Sequence, residues 1–496
     1  MTATDPKLDE FLAGVRRCGL FDPAAVDRYL QENGTPATHQ LLANRMIRDG
    51  LLTNFQARML LDGKSRGFVA NGKYKILELV AVGGMGAVYL CEHNLMRRLV
   101  AIKVLPKEMH SQAGSAERFL REARAAAALD HPNLVRAFDL DRLGQANQYC
   151  LVMEYVDGVN LQVLVEKSGP LPVSRAVDYT LQAAAGLHYA HQAGLIHRDV
   201  KPANLLVSRQ GVVKLLDLGL ARFFADSADN LTTVHSGDAI LGTADYMPPE
   251  QALQGTVDTR GDLYSLGATL YYLLAGHPPY TDGTVRQKLV WLQTRDPEPL
   301  ERVRPTVPAA LSAVVAKLMA RNPNDRYPDL RAAAEALRPF VSGPTPPPDA
   351  AEIPGHCPLV EKLLAAAAKA GSGQVPVGWG SLSSGEFTVP AAPPGSGASS
   401  PNNGPTSGVN AGTIDLTDLP TFRGRRIDAG GTTATPNRTL SDTRPTPALP
   451  ATPVKGSSRW AIVGGVVLGL AFVIGAFAAN QANRPPEMPA GASKAK

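Results

Sequence analysis

Apolar positions at helical spacing open the chain. Leu8, Phe11, Leu12 and Val15 share one face, Asp22-Pro23 supplies a cap with Pro in the first turn, and Leu41, Leu42, Met46 and Ile47 repeat the pattern until Gly50 stops it. Thr53-Asn54 restarts it through Phe55, Leu60 and Leu61, so residues 1–70 read as a bundle of three or four short helices. No residue there suggests chemistry, and a packing appendage and a docking module both remain open. From Tyr74 the period changes to strand-like runs, Lys75 to Val80, Ala87 to Leu90 and Val100 to Lys103. A helix over Glu117 to Leu129 puts Phe119, Ala123 and Ala126 on one face, and Cys150-Leu151-Val152-Met153 reads as a buried strand. A second helix, around Ala176–Ala193, carries Leu181, Ala184, Ala185 and Leu187, and Val212 to Leu216 is a further strand.

Beyond residue 340 the pattern dissolves. Residues 341–459 are about half Pro, Gly, Ser and Thr with few aromatics, which is too little apolar surface to offset the entropy of ordering, and a disordered linker is expected. Within it Leu359 to Ala370, with Leu363-Leu364 and an Ala run, has the makings of a transient helix. As a flexible coil the linker would span roughly 60 Å root-mean-square. Trp460 through Ala479 holds no charge. At ~1.5 Å per residue it is long enough to cross a ~30 Å hydrocarbon core, so residues 460–479 read as one transmembrane helix with Trp460 at the interface. Lys455 and Arg459 before it, against Arg484 after it, favour the N-terminus inside. Gly465-x-x-x-Gly469 would let two such helices pack as a homodimer, although Gly is common in membrane helices anyway. Residues 480–496 make a tail too short for an external sensor domain, and the start lacks the apolar run of a secretory leader.

Composition narrows this further. The 496 residues suffice for two or three domains, and 44% hydrophobic with 19% charged is globular content diluted by 46 Gly and 40 Pro that crowd toward the C-terminus. The net charge of +5 is spread along the chain with no basic run longer than Arg423-Gly424-Arg425-Arg426, so charge gives no reason to infer a nucleic-acid partner. Cys18, Cys91, Cys150 and Cys357 lie far apart without C-x-x-C spacing, which suits buried thiols in a reducing cytosol.

One stretch carries chemistry. His197-Arg198-Asp199-Val200-Lys201-Pro202-Ala203-Asn204 reads as a loop between strands, broken by Pro and Asn and flanked by the apolar runs Leu195-Ile196 and Leu205-Leu206-Val207. Asp199 is a candidate proton acceptor, Lys201 a point charge for phosphate, and Asn204 a neutral oxygen ligand for a hard cation. Such a set suits phosphoryl transfer. The glycines in Ala81-Val82-Gly83-Gly84-Met85-Gly86 would let backbone amides approach phosphate, but an ordinary hairpin turn fits them as well. Taken singly, Lys103 reads as an exposed strand cation, Glu122 as a solvated helix residue and residues 220–250 as a polar surface loop.

The loop fits the pattern H-R-D-x-K-x-x-N, and with some ten motifs in order over residues 74–340 the chain resembles the bacterial eukaryotic-like Ser/Thr protein kinases. The resemblance implies a bilobal α+β protein-kinase fold, with a β-rich N-lobe and a helical C-lobe. It implies transfer of the ATP γ-phosphoryl group to Ser/Thr of protein substrates, with Mg²⁺ (or Mn²⁺) as the metal; the need for cytosolic ATP, with the span at 460–479, then places the kinase on the cytoplasmic side of the cell (inner) membrane. By it, Val80, Ala81, Val82, Gly83, Gly84, Met85 and Gly86 cover the nucleotide, and Val88, Ala101, Met153 and Leu206 wall its pocket. Backbone groups of Glu154 and Val156 would read the base. Lys103 would pair with the phosphates and with Glu122, while Asn204 and Asp217, in Asp217-Leu218-Gly219, would hold the metal. Asp199 would orient and deprotonate the substrate hydroxyl, and Lys201 would neutralise charge on the transferred group. Residues 220–250 become an activation loop, autophosphorylated at Thr232 or Thr233 and read by Arg198, with Thr243 nearer the substrate. Pro248-Pro249-Glu250 stands for A-P-E, Glu250 pairs with Arg326, and Asp262 caps the catalytic-loop backbone. Ala81 departs from the first glycine of G-x-G-x-x-G, which bears on ATP affinity. The competing reading is a pseudokinase scaffold. Ala81 alone speaks for it, against Lys103, Glu122, Asp199, Asn204 and Asp217 together.

Overall fold

Four helices precede the first strand in the computed structural model, which describes residues 5–83, 86–105, 123–143, 148–218, 244–253, 255 and 257–371. They are α1 (Pro6–Arg17), α2 (Pro23–Asn33), α3 (His39–Arg48) and α4 (Asn54–Leu61). Each starts where a side-chain oxygen takes up an orphan backbone N–H: Asp5, Asp22, Thr38 and Thr53 are the caps, and Thr53 with Gln56 closes a capping box.

The strands β1 (Val69–Ala70), β2 (Tyr74–Gly83), β3 (Gly86–His93), β4 (Arg98–Val104), β5 (Ala137–Leu143) and β6 (Gln148–Glu154) form one antiparallel sheet in the order β1-β2-β3-β4-β6-β5. Its central strands are buried on both faces, so the period-2 alternation sorts residues between two cores. Val100, Ile102 and Val104 of β4, with Cys150 and Val152 of β6, join Leu12, Leu42, Met46 and Phe55 in a single apolar cluster. Ala101, Leu151 and Met153 face the other way, with Leu105 and Ala123. The N-terminal helices are thus the cover of one sheet face. Two polar stitches register them: Thr53 Oγ1 donates to the carbonyl of Leu77, and Gln56 Nε2 donates to that of Ile76 at 2.7 Å.

The second half is helical around a three-stranded sheet, β7 (Gly158–Asn160), β8 (Leu205–Ser208) and β9 (Val213–Leu215), in that order. Its helices are α5 (Leu161–Ser168), α6 (Val173–Gln192), α7 (Pro249–Ala252), α8 (Thr259–Ala275), α9 (Val285–Thr294), α10 (Leu300–Val303), α11 (Ala309–Leu318) and α12 (Leu330–Leu337). Helix α8 is buried all round from Gly261 to Leu274 and forms the axis on which the others pack.

Two expectations are corrected. The stretch before His197 is not a strand: α6 ends at Gln192 and an extended segment follows, so only the downstream flank, β8, is sheet. Nor does irregular linker begin at 341. The chain continues through Ile353 and Cys357 into helix α13 (Pro358–Gly371), packed on β4 and α3. Its few apolar residues suffice because they enter sockets already built by the two folded halves: Ile353 joins the core of the helical half, and Cys357 and Val360 cluster with Leu77 and Leu90. All four cysteines are free and buried. No helix among the described residues is long and apolar enough to cross a membrane, and residues 460–479, like the rest of 372–496, lie outside the described residues.

Candidate active site

The loop His197–Asn204 hangs from a buried carboxylate. Asp262, on α8 and fully inaccessible, accepts the N–H of His197 at 2.9 Å and that of Arg198 at 2.8 Å, and its Oδ2 lies 2.7 Å from His191 Nε2. Burial alone would raise its pKa; the hydrogen bonds from the His191 ring and from the His197 backbone N–H work against that, and it lies below the ordinary carboxylate value. The grip holds Arg198 in the left-handed region, φ 65°, which an L residue with a Cβ adopts at a cost of roughly 1–2 kcal/mol. His197 then locks the loop from within. Its Nδ1 accepts from the N–H of Asp199 at 3.2 Å, so its Nε2 carries the proton donated to the carbonyl of Leu216 at 2.7 Å.

Beyond that clamp the reactive side chains converge. Lys201 Nζ is 2.9 Å from Asp199 Oδ2, and Asn204 Nδ2 donates to the same oxygen at 2.9 Å and to the Asp199 carbonyl at 2.8 Å. Because its nitrogen is so engaged, Oδ1 is the atom Asn204 offers to a cation. The N–H of Leu216 donates to the carbonyl of Asn204 at 2.9 Å, which ties the loop to the residue before Asp217. Asp217, left-handed at φ 59°, meets Lys103 Nζ at 2.7 Å. Lys103 is only 3% exposed, yet sits on β4 beside Ala101, on the face opposite the N-terminal helices. The exposed-strand-cation reading of Lys103 is therefore overturned.

Val88, Ala101 and Met153 belong to one apolar cluster on that face, and Ala101 is the register partner of Met153. Leu206 is half-buried on β8. Val80 and Val82, on the strand leading to the glycines, are 55% and 51% exposed. Gly86 has φ 112°, and a Cβ there would lie 2.0 Å from the carbonyl oxygen of Val104. Glu154 has its N–H on the carbonyl of Arg136 at 2.8 Å and its carboxylate on Lys214 at 3.0 Å, so its N–H and side chain are committed to the fold. Val156 follows, buried.

Farther out, the Arg326 guanidinium grips Glu250 with two bonds of 2.7 and 2.8 Å and also donates to the carbonyls of Ala320 and Arg260. Asp245 pairs with the buried Lys288, and burial pushes the Asp245 carboxyl upward against that bond. Arg198 Nε is buried with no hydrogen-bond partner among the described residues. Gly84, Met85, Glu122, Thr232, Thr233 and Thr243 lie outside the described residues, and with them the expected Lys103–Glu122 pair. His191, Lys214 and Lys288 were missed in the sequence; each is an ordinary helix or strand residue whose partner is set by tertiary packing alone.

A family model described as protein kinase domain matches residues 74–338. The chain belongs to the protein kinase family. Within that family the kinase domain is 40% identical over 257 residues to serine/threonine-protein kinase PknB of Mycolicibacterium smegmatis, covering 51% of this chain and 41% of the relative. It is 36% identical over 258 residues to serine/threonine-protein kinase PrkC of Bacillus subtilis, covering 52% and 39%. The match thus spans about two fifths of these relatives' own length. A solved structure, the kinase domain of Mycobacterium tuberculosis PknI, is 29% identical, covering 54% of this chain and 96% of that one at a TM-score of 0.43. Family membership implies ATP, a divalent metal ion and protein substrates.

Proposed function

We propose that the chain is a serine/threonine protein kinase that transfers the γ-phosphoryl group of ATP. The reading rests on one arrangement: the Asp199–Lys201–Asn204 cluster, pinned by Asp262 and bonded through Leu216 to the strand end that places Asp217 on Lys103. Mg²⁺·ATP fits the residues present. The close approach of Gly86 to Val104 leaves backbone where a side chain would stand, a buried Lys103 supplies fixed positive charge, and Asn204 Oδ1 with the Asp217 carboxylate gives the hard oxygens Mg²⁺ prefers. When bound, the metal supplies charge neutralisation for the phosphates.

This chain's own residues do the rest. Asp199 accepts the proton of the substrate hydroxyl, at an oxygen held in place by Lys201 and Asn204. Lys201 offsets negative charge as the phosphoryl group moves, and Lys103 holds the nucleotide end. Val88, Ala101, Met153 and Leu206 take the base, which the Glu154 carbonyl and the Val156 N–H read. Arg198 Nε, without a partner among the described residues, is the group a phosphothreonine at Thr232 or Thr233 would satisfy. Residues 460–479, free of charge and preceded by Lys455 and Arg459, anchor the kinase from the cytoplasmic side of a membrane, where ATP is available.

Incubating the full chain with radiolabelled ATP, Mg²⁺ and a protein substrate should give Ser/Thr phosphorylation and, by peptide mapping, phosphate at Thr232 or Thr233. Asp199→Asn should abolish transfer while nucleotide binding persists. A wild-type chain that binds nucleotide and transfers nothing would leave a pseudokinase scaffold as the function. Recovery of the chain in the soluble fraction after cell lysis would remove the membrane assignment.

A further inference from the structure

Residues 342–371 touch, in sequence, the helical lobe, the segment after β6, the large sheet and the N-terminal helices. At the C-lobe end, Glu352 receives both terminal nitrogens of Arg175 on α6 at 2.8 Å each, Lys167 donates to the carbonyl of Ala351, and Ile353 is buried in the C-lobe core. The carbonyl of Pro354 then accepts from Arg209 at 2.8 Å. The same Arg209 holds Asp157, the last residue of the hinge 154–157 that joins the sheet-rich and helical lobes, at 2.9 Å, and His356 also reaches Asp157 at 2.8 Å. The His356 ring also meets Tyr155 edge-on. Next, Cys357 and Val360, the latter 1% exposed, seat against Leu77 of β2 and Leu90 of β3. Finally Lys362 Nζ donates to the carbonyl of Asp49 at 2.7 Å, in the N-terminal helices.

We infer that this segment is an intramolecular strap that sets nucleotide affinity by fixing the hinge and joining the two lobes. The inference rests on the reading of the cleft as a nucleotide site. Tyr155 stands between Glu154 and Val156, and Asp157 directly follows them; the strap therefore holds side chains that alternate with and follow the two residues whose backbone is expected to read the base. A nucleotide must touch both lobes at once. Lobes already joined lose less freedom when it binds, so the strap raises affinity without touching the ligand. A tether of this kind works only while both ends are fastened. Releasing either end should therefore cost as much as releasing both.

The test uses full-length protein and Mg·ADP as probe, by titration calorimetry. Glu352→Ala frees the C-lobe end and Val360→Asp the N-lobe end; neither residue touches the cleft. Each alone should raise the Kd about fivefold or more, and the double variant should be no weaker than the worse single. Hydrogen exchange should quicken at hinge residues 154–157 in both singles. Should Val360→Asp fail to fold, the milder truncation Val360→Ala replaces it at the same contact with the same expectation. Multiplying effects in the double variant, or singles with wild-type Kd and unchanged hinge exchange, would overturn the strap. A wild-type chain that does not bind Mg·ADP would overturn the nucleotide site instead, and hinge exchange would then decide the strap alone.

Discussion

Replacing Asp262 by Asn changes one carboxylate oxygen for an amide NH2 and almost nothing in shape. In the wild type Oδ1 accepts from the Arg198 N–H, while Oδ2 accepts from the His197 N–H and bonds His191. An amide at 262 keeps one acceptor. Whichever way it turns, at least one buried backbone N–H loses its partner, and the remaining bonds lose the assistance of a full charge. An orphaned buried donor costs about 1–3 kcal/mol, and charge-assisted bonds are roughly twice as strong as neutral ones, so a loss of about 3 kcal/mol is expected. That is a large part of the ~5–15 kcal/mol by which a domain is stable. Urea unfolding at pH 7 measures it. Arg198, no longer held left-handed, would carry Asp199 out of place; kcat should fall at least about tenfold, equivalent to ~1.4 kcal/mol, with the KM for ATP near wild type. The pH dependence is a second check. The folded pKa of Asp262 lies below its unfolded value near ~3.9, so its contribution is complete above that value and is lost as pH falls through the folded pKa. The stability gap between wild type and variant should hold constant from pH 7 to about 4 and close only below. A gap under about 1 kcal/mol, or one that closes above pH ~5, would refute the assignment of Asp262 as the charged anchor.

Arg326→Ala leaves the half-buried Glu250 against no cation, and urea unfolding should show a loss of about 3 kcal/mol, because breaking such a pair strands the other charge. Gly86→Ala drives a Cβ into the Val104 carbonyl at a left-handed φ, and Mg·ADP affinity should fall beyond tenfold. Ala81→Gly, on an exposed stretch of strand with no such approach, should shift it by less than about tenfold, ~1.4 kcal/mol, in parallel titrations. Thr53→Val removes a helix cap and the bond to Leu77, and thermal unfolding should show a loss of about 1–2 kcal/mol.

The loop His197–Asn204, the lysine on a strand and the Asp-Leu-Gly turn were legible because they are local: residue type and order carry them. What the sequence hid was which residue each one touches. Lys103 read alone as an exposed strand cation, yet it is buried, because the N-terminal helices cover the other face of its strand and leave the cleft face as its only direction. His191 contributes to the Asp262 anchor from six residues before His197, at a spacing that no helix or strand period flags. The strands that alternate between two apolar faces look like ordinary core strands until the helices that claim one face are in place.

Residues 342–371 are the instructive case. Their composition argued for disorder, since Pro and Gly dilute a handful of apolar side chains and the balance of burial against ordering entropy was struck for the segment on its own. A segment that docks is judged differently. Ile353, Cys357 and Val360 add little surface of their own, but each completes a cluster whose other members are already buried, and the polar anchors at Glu352, His356 and Lys362 meet partners fixed by the kinase fold. The ordering entropy of the segment is thus set against contacts with a rigid surface, in the manner of an interface. It follows that the kinase domain as a family, residues 74–338, is shorter than the packed body in this chain, which runs from α1 to α13. A fragment cut at residue 341 would keep every catalytic side chain and lose the contacts that hold its hinge.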